Sequence, residues 1–223
     1  MIDTLLFDLD NTLLDFDKAE ANAITRALGD VGISATNEMR DCYHKINLAQ
    51  WKLLEQGKMT REEVKMRRFK LLFQEFDIKV SPQEVAKHYQ DYLGQGHYFI
   101  EGAEEVLQEL SKRFRIYLVT NGTLSVQRGR LKSSGIEKYL QGVFISEEIG
   151  YNKPSIKCFS KIPDFKKENT VIIGDSLSSD IQGGINAGIK TIWFHRGQDL
   201  TEDPQPKPDY EINSLKFLLE MLK

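Results

Sequence analysis

Short apolar runs that alternate with helical segments are the feature that most constrains the fold of this chain. Five runs rich in branched residues predict β-strands at residues 2–7, 116–119, 143–145, 171–173 and 191–194. From residue 116 onward helical patterns separate the runs, and two of these patterns end at a glycine, Gly135 and Gly188, as helices often do. Continuous apolar strands joined by helices predict an α/β fold with a doubly wound, Rossmann-like parallel sheet that helices cover on both faces.

A mostly helical block separates the first strand from the others. Between residues 17 and 99, Ala19, Ala23 and Ala27 share one helical face, and Thr60 followed by Glu63 matches a capping pattern. We interpret residues 17–99 as an inserted helical cap domain, and residues 1–16 together with 100–223 as the α/β core. The basic run from Lys58 to Lys70 predicts a solvated face, although Arg61, Lys65 and Arg68 share one side that could meet an anionic substrate.

The last part of the chain predicts a loop, a strand and a helix. The segment that follows residue 194 is polar and contains several prolines, which is typical of a surface loop. The sequence "YEI" at residues 210–212 is a candidate edge strand, and "SLKFLLEMLK" predicts a final helix.

Composition bounds the class of protein. A length of 223 residues allows one substantial core with a second, smaller domain, and a net charge of -3 argues against a nucleic-acid polymer as partner. No apolar stretch is long enough to span a membrane, and Cys42 and Cys158 match no metal-ligand or redox spacing. We therefore expect a soluble cytoplasmic protein, monomeric or homodimeric, that acts on a small molecule without a membrane.

Polar side chains follow four of the predicted strands. The carboxyl ends of parallel strands meet at one edge of a sheet, which is where such sheets bind ligands. The residues at this edge are Asp8, Asp10, Asn11 and Thr12 after the first strand, Thr120 and Asn121 after the second, Lys153 after the third, and Asp175 and Asp180 after the fourth.

These residue types together indicate phosphoryl transfer. Asp8, Asp10 and Asp175 would resist ionising side by side unless a cation balanced them, and a set of oxygen ligands favours Mg²⁺ over zinc. One carboxylate can then attack phosphorus and another can move the proton. Lys153 would offset negative charge, while Thr120 and Asn121 would bind phosphoryl oxygens.

The segments "DLDNT", "LVTNG", "NKP" and "GDSLSSD" resemble the four motifs of the haloacid dehalogenase superfamily of phosphohydrolases, in the same order. The helical insertion after the first motif resembles the C1 cap of that superfamily. The resemblance implies that Asp8 is the nucleophile and a Mg²⁺ ligand, and that Asp10 is the general acid and base and also offers its backbone carbonyl to the metal. It further implies that Asp175 is a metal ligand and that Asp180 either holds a water on the metal or orients Lys153.

The same resemblance assigns the substrate-binding positions. Thr120 and Asn121 take the phosphate-binding place and Lys153 the charge-balancing place. Asn11 stands where glycine is most frequent in the superfamily, and Thr12 either supports phosphate binding or caps the following segment.

Asp10 decides between two reactions known in this superfamily. The true dehalogenases lack an acid two residues after the nucleophile, so Asp10 favours phosphatase activity over carbon–halogen cleavage. Within the superfamily the chain is most similar to bacterial 5′-nucleotidases of the YjjG and YfnB type, which implies a small phosphorylated metabolite such as a nucleoside 5′-monophosphate. The alternatives are a sugar phosphomutase resembling β-phosphoglucomutase and a binding or regulatory protein without turnover.

Overall fold

The chain folds into two compact units. The computed structural model describes residues 2–196 and 204–223. One unit, called the core unit here, comprises Met1–Asp15 and His97–Lys223, and the other, the helical unit, is Phe16–Gly96. The predicted domain limits were 17 and 99; the role of the helical unit as a cap stays a prediction. Within the described ranges, every helix is too short or too polar to cross a membrane.

Four helices make up the helical unit: α1 (Phe16–Gly29), α2 (Asn37–Glu55), α3 (Arg61–Glu75) and α4 (Pro82–Leu93). Each of α2, α3 and α4 begins after a hydroxyl side chain that accepts a hydrogen bond from the first turn. Thr60 and Glu63 form the expected capping box. Ala19, Ala23 and Ala27 are buried on one face of α1, so the period read from the sequence marks the packed side of that helix.

Arg68 is buried, which differs from the solvated basic face that the sequence suggested. The residue is 2% exposed, and its Nη1 donates to Asn47 Oδ1 at 2.8 Å. Asn47 Nδ2 in turn donates to Glu20 Oε1 at 2.6 Å, and the guanidinium lies 4.7 Å from the centre of the Tyr89 ring. A buried cation is tolerated when it is hydrogen-bonded and stacked in this way, and the direct partners of Arg68 come from α2 and α4.

A six-stranded sheet lies at the centre of the core unit, as far as the described residues extend. The strands are β1 (Thr4–Phe7), β2 (Arg115–Thr120), β3 (Gly142–Ile145), β4 (Thr170–Gly174), β5 (Lys190–Phe194) and β6 (Tyr210–Ile212). Their order is β3-β2-β1-β4-β5-β6, and every neighbouring pair is parallel. The predicted doubly wound α/β fold is confirmed, including the edge strand at 210–212.

The helices of the core unit lie between these strands or, for the last one, after β6. They are α5 (Ala103–Leu110), α6 (Leu124–Ser134), α7 (Ser146–Ile149), α8 (Gln182–Ala187) and α9 (Leu218–Met221), with a π-helical segment Leu177–Ile181 before α8 and a 3₁₀ turn Leu215–Phe217 before α9. Gly135 and Gly188 are left-handed at the ends of α6 and α8, as predicted. Part of the predicted loop after residue 194 lies outside the described residues.

Both faces of the sheet are buried. Phe7, Leu118 and Ile173 belong to one apolar cluster, while Leu6, Val119 and Ile172 belong to a cluster on the opposite face. Each such side chain contributes roughly 1.5–3 kcal/mol when it is fully buried. Burial on two faces is the reason why these strands read as continuous apolar runs instead of alternating ones.

The chain leaves and re-enters the core unit at adjoining positions. Asp15 N donates to Tyr98 O at 2.7 Å, and Ile100 N donates to Leu13 O at 3.0 Å. A further bridge pairs Leu14 with Phe99 in antiparallel orientation. Hydrogen bonds within the core unit therefore tie together the two ends of the insertion.

Candidate active site

The predicted site residues come together at the carboxyl ends of three neighbouring strands. Asp8 follows β1, Thr120 ends β2, and Asp175 follows β4, and these strands are adjacent in the order β2-β1-β4. Asp8 N still donates to Ile173 O of β4 at 2.9 Å, so the nucleophile candidate is fixed to the rigid part of the sheet. The edge that the sequence indicated is the edge where these residues lie.

Lys153 is buried, and its ammonium group contacts three oxygen atoms. It is 1% exposed, and its Nζ lies 2.5 Å from Asp8 Oδ1, 2.6 Å from Asp180 Oδ1 and 2.5 Å from Val119 O. Burial alone would lower the pKa of Lys153, but Asp180 and Asp8 outweigh it and the net pKa is raised above its ordinary value. Lys153 is therefore a fixed positive charge between two carboxylates.

Asn121 holds the backbone of Lys153. Its Nδ2 donates to Lys153 O at 2.9 Å, and its Oδ1 accepts from Lys153 N at 2.8 Å. This pair of hydrogen bonds fixes the loop that carries the lysine. The phosphate-binding role of the Asn121 side chain stays a prediction, whereas these two hydrogen bonds have a structural role.

Three carboxylates form an acidic cluster that fits a divalent cation. One oxygen from each of Asp8, Asp175 and Asp180 lies within 4.8 Å of the others. Burial raises the pKa of Asp8 to about 7 against the opposing effect of Lys153, with Asp180 and Asp10 adding to the rise. Burial also raises the pKa of Asp175, and Asp8 and Asp180 add to it. Only oxygen donors are present in this cluster, and one cation of charge +2 would relieve this repulsion.

Asp180 supplies the third carboxylate of this cluster, and the expected contact of the Asp10 backbone carbonyl with a metal stays a prediction. Asp180 Oδ2 accepts from Ser176 N at 3.0 Å, while its Oδ1 faces Lys153. A Cβ atom on Gly174 would overlap the Asp180 carboxyl group, so the glycine of "GDSLSSD" makes room for it. These contacts favour the alternative in which Asp180 orients Lys153.

Asp10 is held by two residues of α6 that the sequence analysis did not identify. Gln127 Nε2 donates to Asp10 Oδ2 at 2.8 Å, and Arg130 Nη1 is hydrogen-bonded to Asp10 Oδ1. Both residues are buried. The sequence predicted their helix but did not single out these two side chains. The spacing of three between Gln127 and Arg130, which puts them on one helical face, was the available signal.

Asn11 and Thr12 have different surroundings. Asn11 has a φ of 56°, a left-handed conformation that glycine adopts freely and asparagine tolerates better than most residues. Its Oδ1 accepts from Arg196 Nη2 at 3.0 Å. Thr12 is fully buried, and its hydroxyl donates to Asp175 Oδ1 at 3.5 Å. Their substrate-binding roles stay predictions.

Known proteins are similar to this chain in sequence. The family model described as haloacid dehalogenase-like hydrolase matches residues 5–194. HAD-hydrolase YfnB of Bacillus subtilis (strain 168) is 40% identical over 98% of this chain and 94% of its own length. Pyrimidine 5′-nucleotidase PynA of Streptococcus pneumoniae (strain ATCC BAA-255 / R6) is 42% identical with the same coverage of both chains, and pyrimidine 5′-nucleotidase YjjG of Escherichia coli (strain K12) is 28% identical over 99% of this chain and 97% of its own.

A solved structure gives the same result in three dimensions. The magnesium-bound crystal structure of YfnB from Bacillus subtilis superimposes with a TM-score of 0.92 at 39% identity, covering all of this chain and 99% of that one. The sequence match and the shared fold agree over nearly the whole length. This chain belongs to the haloacid dehalogenase-like hydrolase family.

Proposed function

We propose that this protein is a Mg²⁺-dependent phosphatase that cleaves a small phosphomonoester through an aspartyl-phosphate on Asp8. The observation that carries the proposal is the arrangement of Lys153 between Asp8 and Asp180 at the strand ends, with Asp10 two residues beyond Asp8. This set supplies a nucleophile, a fixed counter-charge and a second carboxylate for proton transfer.

The first half of the reaction transfers the phosphoryl group to the enzyme. A carboxylate oxygen of Asp8 attacks phosphorus and forms a new P–O bond, while the ester P–O bond breaks. Its electron pair stays on the ester oxygen, which takes a proton from Asp10 and leaves as an alcohol. Lys153 and the Thr120 hydroxyl would stabilise the charge on the phosphoryl oxygens.

The second half returns the enzyme to its starting state. Water gives a proton to the Asp10 carboxylate, and its oxygen attacks phosphorus. The P–O bond to Asp8 breaks, the electron pair returns to the Asp8 carboxylate, and inorganic phosphate is released. Asp10 has then regained the proton that it gave to the leaving group.

Asp8 and Asp175, with the Asp10 backbone carbonyl, would hold the Mg²⁺ ion. When bound, the ion supplies positive charge that favours ionised carboxylates and polarises the phosphoryl group. The acidic cluster supports this assignment, because burial, together with the neighbouring carboxylates, raises the pKa of Asp8 and of Asp175, and a cation would oppose that rise. The magnesium bound to the similar YfnB structure supports it as well.

The substrate that we propose is a nucleoside 5′-monophosphate, and the role that we propose for residues 17–99 is that of a helical cap. Two relatives, PynA and YjjG, are named pyrimidine 5′-nucleotidases, which supports this substrate class. A cap that closes over the substrate would exclude bulk water and set specificity.

Phosphate release from a panel of phosphorylated metabolites, including several nucleoside monophosphates, tests the proposal in the presence of Mg²⁺. We expect turnover of at least one nucleotide and none by Asp8→Asn, which keeps the side-chain volume but removes the nucleophile. Near-native activity in Asp8→Asn would refute the aspartyl-phosphate mechanism. Isomerised sugar phosphate from glucose 1-phosphate would indicate a mutase, and no turnover of any substrate would indicate a binding protein.

A further inference from the structure

We propose that Gln127 and Arg130 of α6 form a clamp that positions the Asp10 carboxyl group, which gives its proton to the leaving group. The inference rests on the proposed function and adds two positioning residues to it. Neither residue belongs to the four motifs that indicated the site.

Both oxygens of Asp10 are held, each by a different residue. Arg130 is fully buried and contacts Oδ1, while Gln127 is 1% exposed and its Nε2 donates to Oδ2 at 2.8 Å. Two donors on two oxygens fix the rotation of the carboxylate about its own axis. The Asp10 side chain nevertheless keeps 29% of its surface exposed, so the group remains reachable while its orientation is fixed.

Gln127 also links Asp10 to the phosphate-binding candidate. Its Nε2 carries two hydrogens, and this nitrogen lies 2.8 Å from Asp10 Oδ2 and 2.8 Å from Thr120 Oγ1. Because Thr120 accepts from Gln127, its own O–H can donate to a phosphoryl oxygen. The Gln127 amide nitrogen thereby holds the Asp10 carboxyl group and the Thr120 hydroxyl at a fixed distance from each other.

The orientation of the Gln127 amide is itself fixed. Its Oε1 accepts from Arg130 Nη1 at 3.4 Å, so the arginine contacts both Asp10 and the residue that holds Asp10. A Cβ atom on Gly122 would overlap the end of the Gln127 side chain. The glycine of "LVTNG" therefore leaves the space that the clamp occupies.

Stability alone does not account for this arrangement. A fully buried guanidinium is costly to desolvate, and replacing a buried ion pair by apolar side chains of similar volume is often neutral or stabilising. Here the arginine is buried and its carboxylate partner is partly exposed at the strand ends, beside the candidate nucleophile. That asymmetry is expected when the carboxylate must meet a substrate and the arginine must hold it.

The dependence of activity on the leaving group tests the clamp. The alkoxide of a nucleoside monophosphate needs a proton as it departs, whereas p-nitrophenolate departs without one. The ratio kcat/KM reports the steps up to transfer of the phosphoryl group, which include leaving-group departure. Misplacing Asp10 should therefore lower kcat/KM for the nucleotide more than for p-nitrophenyl phosphate.

Arg130→Met and Gln127→Leu remove one arm of the clamp each, and Arg128→Met is the matched control. Arg128 lies on the same helix, is exposed and pairs with Glu148 at the surface. We expect the two clamp variants to lose about 10- to 100-fold in kcat/KM for the nucleotide that wild type cleaves and less than about 3-fold for p-nitrophenyl phosphate. Arg130→Lys should recover part of the loss, and Arg128→Met should behave like wild type.

Equal losses on the two substrates, in variants whose thermal unfolding matches wild type, would overturn the clamp and leave the proposed function standing. No hydrolysis of either substrate by wild type would instead overturn the proposed function. If Arg130→Met fails to fold, Gln127→Leu carries the test, because it changes no charge and nearly keeps the side-chain volume.

Discussion

Gly174→Ala should destabilise the protein by a mechanism that can be traced to one side chain. Gly174 ends β4, and an added Cβ would overlap the carboxyl group of Asp180. Asp180 cannot move away freely, since its Oδ2 accepts from Ser176 N and its Oδ1 pairs with Lys153. The methyl group must therefore displace a buried carboxylate that accepts a hydrogen bond on Oδ2 and forms an ion pair through Oδ1.

The expected cost follows from these contacts. Inserting a methyl group into a packed interior typically costs about 1–3 kcal/mol. Losing a hydrogen bond to a charged group costs about 1.5–3 kcal/mol, although part of it returns if the side chain finds a new partner. We expect Gly174→Ala to lower the free energy of unfolding by about 2–4 kcal/mol.

Urea unfolding of a double-mutant cycle tests whether residue 180 is the cause of the lower free energy of unfolding. In an Asp180→Gly background both the carboxyl group and the Cβ of residue 180 that the new methyl group would overlap are absent, so Gly174→Ala should then cost less than about 0.5 kcal/mol. Gly29→Ala is the control, because a Cβ there meets nothing within 4 Å and the substitution should be neutral or stabilising. An equal cost of Gly174→Ala in the two backgrounds would show that the reasoning about Asp180 is wrong.

Three further outcomes are expected. Asn11→Ala should cost about 1–2 kcal/mol in urea unfolding because its φ is 56°, whereas Asn11→Gly should not show this backbone penalty; similar losses in both would point to the Arg196 contact instead. Arg68→Met should cost about 1–3 kcal/mol, since it leaves the buried Asn47 Oδ1 without its donor, and a change below 0.5 kcal/mol, roughly the effect of a surface substitution, would contradict that. Mg²⁺ should raise the Tm by mass action, with about 2.7 kcal/mol of stabilisation at 100 times Kd, and Asp175→Asn should weaken this response in a thermal scan; an unchanged response would remove Asp175 from the metal site.

The sheet could be predicted because its signal is local. Strands such as Val171–Ile173 within β4 are buried on both faces, so their apolar runs are visible without any knowledge of what covers them. The order of the motifs then placed Asp8, Lys153 and Asp175 at one edge. The first strand nonetheless begins at Thr4, later than expected, because strand ends carry the weakest pattern.

The missing parts depend on partners that are far away in sequence. Arg130 contacts Asp10 across 120 residues, and Arg68 reaches Asn47 on another helix. A charged residue is predicted to be exposed to solvent unless its partner is known. The sequence therefore predicted a solvated face for Arg68 and did not single out Arg130. Besides the spacing of Gln127 and Arg130, Gly122 was a local signal, since it makes room for the Gln127 side chain five residues further along.

The tie between Leu13–Asp15 and Tyr98–Ile100 makes the insertion a modular one. Because backbone hydrogen bonds already join its two ends, the sheet does not depend on the inserted helices to bring β1 and β2 into register. Closing the long loop between residues 15 and 98 costs conformational entropy, and the hydrogen bonds between its two ends offset part of that cost. We therefore expect the strand ends to keep their geometry when the length or sequence of the insertion changes.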